Sequence, residues 1–171
     1  MAPRSTLHQA LCEALDDEYR ARATYRAVID AFGPVLPFIN IIQSEQRHIN
    51  ALLSLFAARG LEPIADPYAQ GLPAPASIEA ACRIGVHAEI ENAALYDRLM
   101  QAAEGDDEVL WVFRNLRRAS AECHLPAFQR RLTGAQAESC GGGGKGGGHC
   151  CGGRGRARAA MHAERVVDSP G

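Results

Sequence analysis

The chain has 171 residues, 47% of them apolar and 22% charged, and a formal net charge of −2 at pH 7. That length allows one domain with a sizeable core, and that charge gives no electrostatic basis for binding nucleic acid or an anionic membrane. No apolar run approaches the ~18 to 20 residues needed to cross a bilayer. The N-terminal stretch MAPRSTLHQALCEALDDEYR turns acidic too early for the apolar core of a signal peptide, so a cytoplasmic protein is expected.

Four helices are predicted over residues 6–133. The first begins after Ser5 or Thr6 and runs to Phe32, where Gly33 and Pro34 stop it. Pro34 reads as the first-turn proline of a second helix, which continues to Arg59 and ends at Gly60. GLEPIADPYAQGLPAPA carries four prolines and no helical period, so it is a connection. Ser77, with Glu79 behind it, starts the third helix. GDD at 105 to 107 separates the third helix from the fourth, and Gly134 closes the last.

A helix of about 26 residues is roughly 39 Å long, and about 17 extended residues span at most ~55 to 60 Å. The middle connection can therefore run the length of a bundle. The expected fold is all-α: two antiparallel hairpins joined by a long crossover.

The composition breaks at Gly134, and residues 134–171 hold 12 of the 17 glycines. This segment has too little apolar surface for a core and is expected to be a disordered tail. Cys12, Cys82 and Cys123 lie singly in predicted helices, while Cys140, Cys150 and Cys151 lie in the tail. That is no compact disulfide framework, and a reducing compartment fits. Cys140, His149, Cys150 and Cys151 are soft ligands, but their spacing matches no tetrahedral zinc motif. Capture of copper(I), zinc or nickel and a low-complexity solubilising role both stay open for the tail.

At about 100° per residue, each predicted helix places an ionisable group within its apolar stripe. Glu18 shares a face with Leu11, Leu15, Tyr25 and Ile29; Glu45 lies between Ile41, Ile49 and Leu52, with His48 one turn along. Glu89 shares a face with Cys82, Gly85 and Tyr96, and His124 with Phe113, Ser120 and Phe128. Glu91 and Glu122 point away from these faces and are expected to be solvated. The five inward groups all fall near mid-helix, at one level of a bundle. Burying three carboxylates and two imidazoles together costs many kcal/mol unless something compensates.

There is also an internal repeat. DEYRARATYR and AEIENAALYD each set a glutamate and a tyrosine seven apart, and SEQRH and SAECH align Ser44 with Ser120 and His48 with His124. Each hairpin thus supplies half a site. Tyr25 and Tyr96 read as core tyrosines whose hydroxyls bond a carboxylate.

These residues resemble the ferritin-like superfamily, whose helices supply Glu, Glu-x-x-His, Glu and Glu-x-x-His to a pair of ions. DDEYRARATY, SEQRHINALL and AEIENAALY resemble rubrerythrin-type helices in placing Glu18 with Tyr25, Glu45 with His48, and Glu89 with Tyr96. LPFINIIQSEQRHI, DPYAQGLPAPAS and HLPAFQRRL are similar to the ferritin-like family called domain of unknown function 2202, which carries no established reaction. The resemblance implies a ferritin-like bundle over residues 6–133 that holds one or two ions of iron or manganese. Its implied ligands are Glu18, Glu45, His48, Glu89 and His124, and its implied activity is that of an oxidase, peroxidase or ferroxidase. Two Cys-x-x-Cys pairs for a rubredoxin-like centre are absent from the sequence, so redox cycling implies an external electron donor. A homodimer stays open.

One ligand departs from the pattern. The second Glu-x-x-His has Ala121 where its glutamate belongs, with Glu122 about 100° further round the helix. Pro126 removes a backbone donor, and a π-bulge there would turn Glu122 inward. A rival reading needs no metal: Arg22 and Arg117 lie within about 40° of the inward groups and could pair with Glu18 or Glu89 in a structural or interaction bundle.

Overall fold

The computed structural model describes residues 6–134, and every regular element among them is helical. The tail beyond Gly134, with its expected disorder and soft ligands, lies outside the described residues.

Helix α1 is Leu7–Phe32. Thr6 starts it with a reciprocal cap: its hydroxyl accepts the Gln9 amide while the Gln9 side chain accepts the Thr6 N–H. Gly33, at φ +80°, ends it and donates to Ile29 O. Helix α2 is Phe38–Arg59 and starts at Pro37 rather than Pro34. A second proline so close explains the delay, because Pro37 drives Leu36 away from helical backbone. Helix α3 is Ile78–Leu99, opened by Ser77 accepting from Ala80 N–H. Asp106 caps α4, Asp107–Ala119. A π-helical turn, Ser120–His124, and α5, Leu125–Thr133, follow without a break to complete the fourth rod.

The side-chain pairings give the topology. Glu18 meets His48 and Arg22 meets Gln46, so α1 and α2 are antiparallel. Tyr25 meets Glu89 and Tyr96 meets Glu18, so α1 and α3 are antiparallel too. Asp97 meets Arg117 and Asn92 meets Ser120, which sets the fourth rod antiparallel to α3. Hence α2 and α3 run the same way, and the chain between them must travel the bundle's length. It does so along α1, where Glu62 O meets His8 Nε2 at 2.9 Å and Tyr68 donates to Asp16. The fold is the expected four-helix bundle of two hairpins joined by a crossover. No helix among the described residues is long and apolar enough to cross a membrane.

The core is two apolar clusters rather than one. Leu11, Leu15, Leu52, Phe56, Leu99 and Phe113 belong to the first. Tyr25, Val28, Phe38, Ile41, Cys82 and Phe128 belong to the second. On every rod the two are separated by the mid-helix segment that carries the buried ionisable groups. At one point the packing is closer than a side chain allows: a Cβ on Gly85 would lie 2.8 Å from the Phe128 ring. The missing side chain lets that ring lie against the α3 backbone.

Candidate metal centre

Glu18, Glu45, His48, Glu89 and His124 are all buried, the three carboxylates being 1%, 2% and 3% exposed. All five predicted groups meet in the polar layer between the two clusters. They form two overlapping triads, Glu18–Glu45–His48 and Glu45–Glu89–His124, each with ligand atoms within 4.8 Å of one another. Glu45 belongs to both.

The oxygens divide in an orderly way. Glu45 Oε2 lies 2.8 Å from His48 Nδ1, and its Oε1 lies 3.2 Å from His124 Nδ1. Glu18 Oε2 faces His48 Nδ1 at 3.1 Å, while Tyr96 donates to Glu18 Oε1 at 2.6 Å. Glu89 Oε2 faces His124 Nδ1 at 3.4 Å, while Tyr25 donates to Glu89 Oε1 at 2.7 Å. Each outer carboxylate thus has one oxygen held by a tyrosine from the other hairpin and one turned to its histidine. The imidazoles stack with centroids 5.6 Å apart, and Ser44 Oγ lies 3.2 Å from His48 Nε2. His48 Nδ1 lies 3.1 and 2.8 Å from two carboxylate oxygens, an arrangement that calls for a cation, a proton or a metal ion, between them.

Without a metal, that cation must be a proton. Burial alone would lower the basicity of His48, but Glu18 and Glu45 outweigh it and push the pKa up to about 10. Burial raises Glu18, partly offset by His48. For Glu45 the effect of burial is overcome by His124 and His48, which hold it below the usual carboxylate value. A raised histidine pKa contributes stability that is fully present below its unfolded value of 6.5 and lost as pH rises through about 10. The chelated protein is therefore expected to melt progressively lower from pH 6.5 towards 10. A bound metal displaces the His48 proton, so the loaded protein should not follow that slope, and loading at pH 7 should release about one proton from His48. Melting curves across pH, with and without metal, and proton uptake in weakly buffered solution check both.

Glu122 is solvated, as its helical phase predicts, and the two alternatives that the sequence left open fail. The π-turn does form, with Leu125 N–H bonding Ser120 O, but Glu122 stays exposed. The widened turn faces outward at Glu122, whose charge is felt by Arg117 at the surface. Among the described residues, no carboxylate takes the place missing at Ala121. The arginine pairing also fails. Arg22 donates to Gln46 and Asp66 at 2.7 and 2.5 Å, and Arg117 to Asp97 at 2.6 and 3.0 Å. The ion-pair partners of Glu18, Glu45 and Glu89 among the described residues are histidines.

The sequence reading missed a second polar chain. Ser120 donates to Asn92 Oδ1 at 2.6 Å, and Asn92 Nδ2 donates to Asp17 Oδ2 at 2.6 Å. Asn92 lies three residues after Glu89, so the spacing that found Glu89 could have found it too.

No protein-family model matches this chain, and no curated protein matches it. Among solved structures, a hypothetical protein of Methanococcus jannaschii is similar, with a TM-score of 0.67 at 22% identity over 78% of this chain and 84% of that one. The likeness is one of fold.

Proposed function

We propose that this is a ferritin-like metalloprotein whose polar layer holds one or two ions of iron or manganese. The observation that carries the reading is Glu45, whose two oxygens face two different histidines. A carboxylate so placed would serve two cation positions, held on one side by Glu18 with His48 and on the other by Glu89 with His124. Hard oxygens and neutral imidazoles suit such ions, and no soft ligand enters either triad. Iron bound there would supply electrons to dioxygen or peroxide, and either an external donor or, in a ferroxidase, ferrous iron as substrate would replace them.

The chain's own residues do the rest. Tyr25 and Tyr96 fix which oxygen of Glu89 and Glu18 points inward. Ser44 fixes the His48 ring. The two apolar clusters exclude water above and below. Because Ala121 leaves the second bridging position bare, the two cation positions are expected to be unequal.

Thermal unfolding tests the reading directly. A ligand present at about 100 times its Kd, and bound only by the folded state, stabilises by about 2.7 kcal/mol. That corresponds to about 10 °C for a domain of this size. Ferrous iron or manganese should raise the melting temperature by that amount and chelation should reverse it. Identical melting with and without metal would leave a metal-free bundle held by histidinium–carboxylate pairs.

A further inference from the structure

The centre is not equally reachable from outside. A cavity of about 280 Å³ opens between α1 and α3, and its lining includes Glu45, Glu89 and Tyr25. Glu18, His48, Tyr96 and His124 do not line it. It therefore touches one triad through Glu89 and the shared Glu45 but neither Glu18 nor His48 of the other, whose His48 side chain keeps 11% of its surface exposed away from this cavity. The surface end is marked by exposed His87 and Glu91, and small Ala21 and Ala88 stand on the two helices that flank it.

We propose that this cleft is the port by which a divalent cation reaches the centre, and that it serves the Glu45–Glu89–His124 half directly. The inference rests on the metal reading above and adds an order to it. Charge favours a cation as the traveller. Asp17, Glu45, Glu89 and Glu91 face the cavity against Arg20 and His87. Arg20 is already paired with Asp17, and His87 lies 3.3 Å from Glu91. A cleft with net negative charge and low-dielectric walls concentrates cations and speeds their arrival. Asp17 lines the cleft, where Asn92 holds its carboxylate by a hydrogen bond and ties it to Ser120 in the π-turn. The two halves of the repeat differ at this wall: Asn92 aligns with Ala21, so α1 has no matching amide. The half served by the port exchanges its ion readily, and the Glu18–Glu45–His48 half fills and empties through it.

Stopped-flow uptake of Co²⁺ by the full chain, followed by extraction with a chelator, tests this. Wild type should show a fast and a slow phase, about equal in amplitude. Ala88→Leu narrows the cleft and should slow the fast phase by about tenfold or more while the final Co²⁺ count stays the same. Asp17→Asn adds no volume, so it serves if the leucine variant melts low. It should slow the fast phase, and the slowing should shrink as salt is raised. A fast phase untouched by both variants, or one loading phase in wild type, would overturn the port. A chain that takes up no Co²⁺ at all, with unchanged melting, overturns the metal reading and the port with it.

Discussion

Glu45→Gln should abolish ion binding at both positions at once, whereas Glu18→Gln and Glu89→Gln should each weaken mainly one. The asymmetry follows from the shared membership of Glu45 in both triads. Hydrogen-bond partners outside the ligand shell are typically worth about 10- to 100-fold in metal affinity. A charged ligand is worth at least the upper figure, and here it is lost at each position. Glutamine keeps the size of the side chain, so the core is not opened. Its amide cannot neutralise either cation, and its NH₂ end would face a histidine that needs to offer a lone pair. Isothermal titration with Mn²⁺ measures the outcome. Two positions lost in Glu45→Gln and one in each of the others supports the shared bridge. Equal, modest effects from all three would refute it. Ala121→Glu should act the other way and tighten the weaker position, since it restores a carboxylate pseudo-equivalent to Glu45.

The architecture was largely legible because its signals are local and repeated. Capping residues at Thr6, Ser77 and Asp106 and glycines at 33, 60 and 134 mark where helices begin and end. Periodicity puts Glu18, Glu45, Glu89 and His124 on apolar faces, and a buried charge at mid-helix has few explanations. What periodicity cannot carry is the side chain's last two or three torsions. Arg22 lies one turn from Glu18, yet its guanidinium turns to Asp66 on the crossover, a segment without helical period. The swap that sends Tyr25 to Glu89 and Tyr96 to Glu18 depends on how two hairpins dock, which no single helix encodes. The π-turn shows the same limit. Pro126 signals a break in the hydrogen-bond ladder, but which side of the helix takes up the slack is decided by packing. His124 is kept inward between Glu45 and Glu89, and Glu122 is left outside.

Phe128→Ala should lower stability by about 3 to 5 kcal/mol, the usual cost of emptying a large aromatic site in a core that cannot collapse. The site has little room to relax. Phe128 is fully buried, with its ring 5.4 Å from Tyr25 and 5.2 Å from Phe38 between centroids. On its other side is the α3 backbone at Gly85, where there is no side chain to move into the void. The expected fall in melting temperature is roughly 10 to 20 °C. Filling from the opposite side is no remedy in the native chain. Gly85→Ala gains about 1 kcal/mol of helix propensity but sets its new methyl 2.8 Å from the ring, an overpacking that typically costs about 1 to 3 kcal/mol. It should therefore be neutral to mildly destabilising alone and should recover part of the loss when combined with Phe128→Ala. The pair also reports on the centre, because Phe128 supports the Tyr25 ring whose hydroxyl orients Glu89. Phe128→Ala should then weaken Mn²⁺ binding at the Glu45–Glu89–His124 position more than at Glu18–Glu45–His48. Denaturant titrations and metal titrations of the two single variants and the double variant check this. Additive stability changes in the double variant would show that residues 85 and 128 do not share the packing described. Equal weakening of both ion positions would show that Tyr25 does not transmit it.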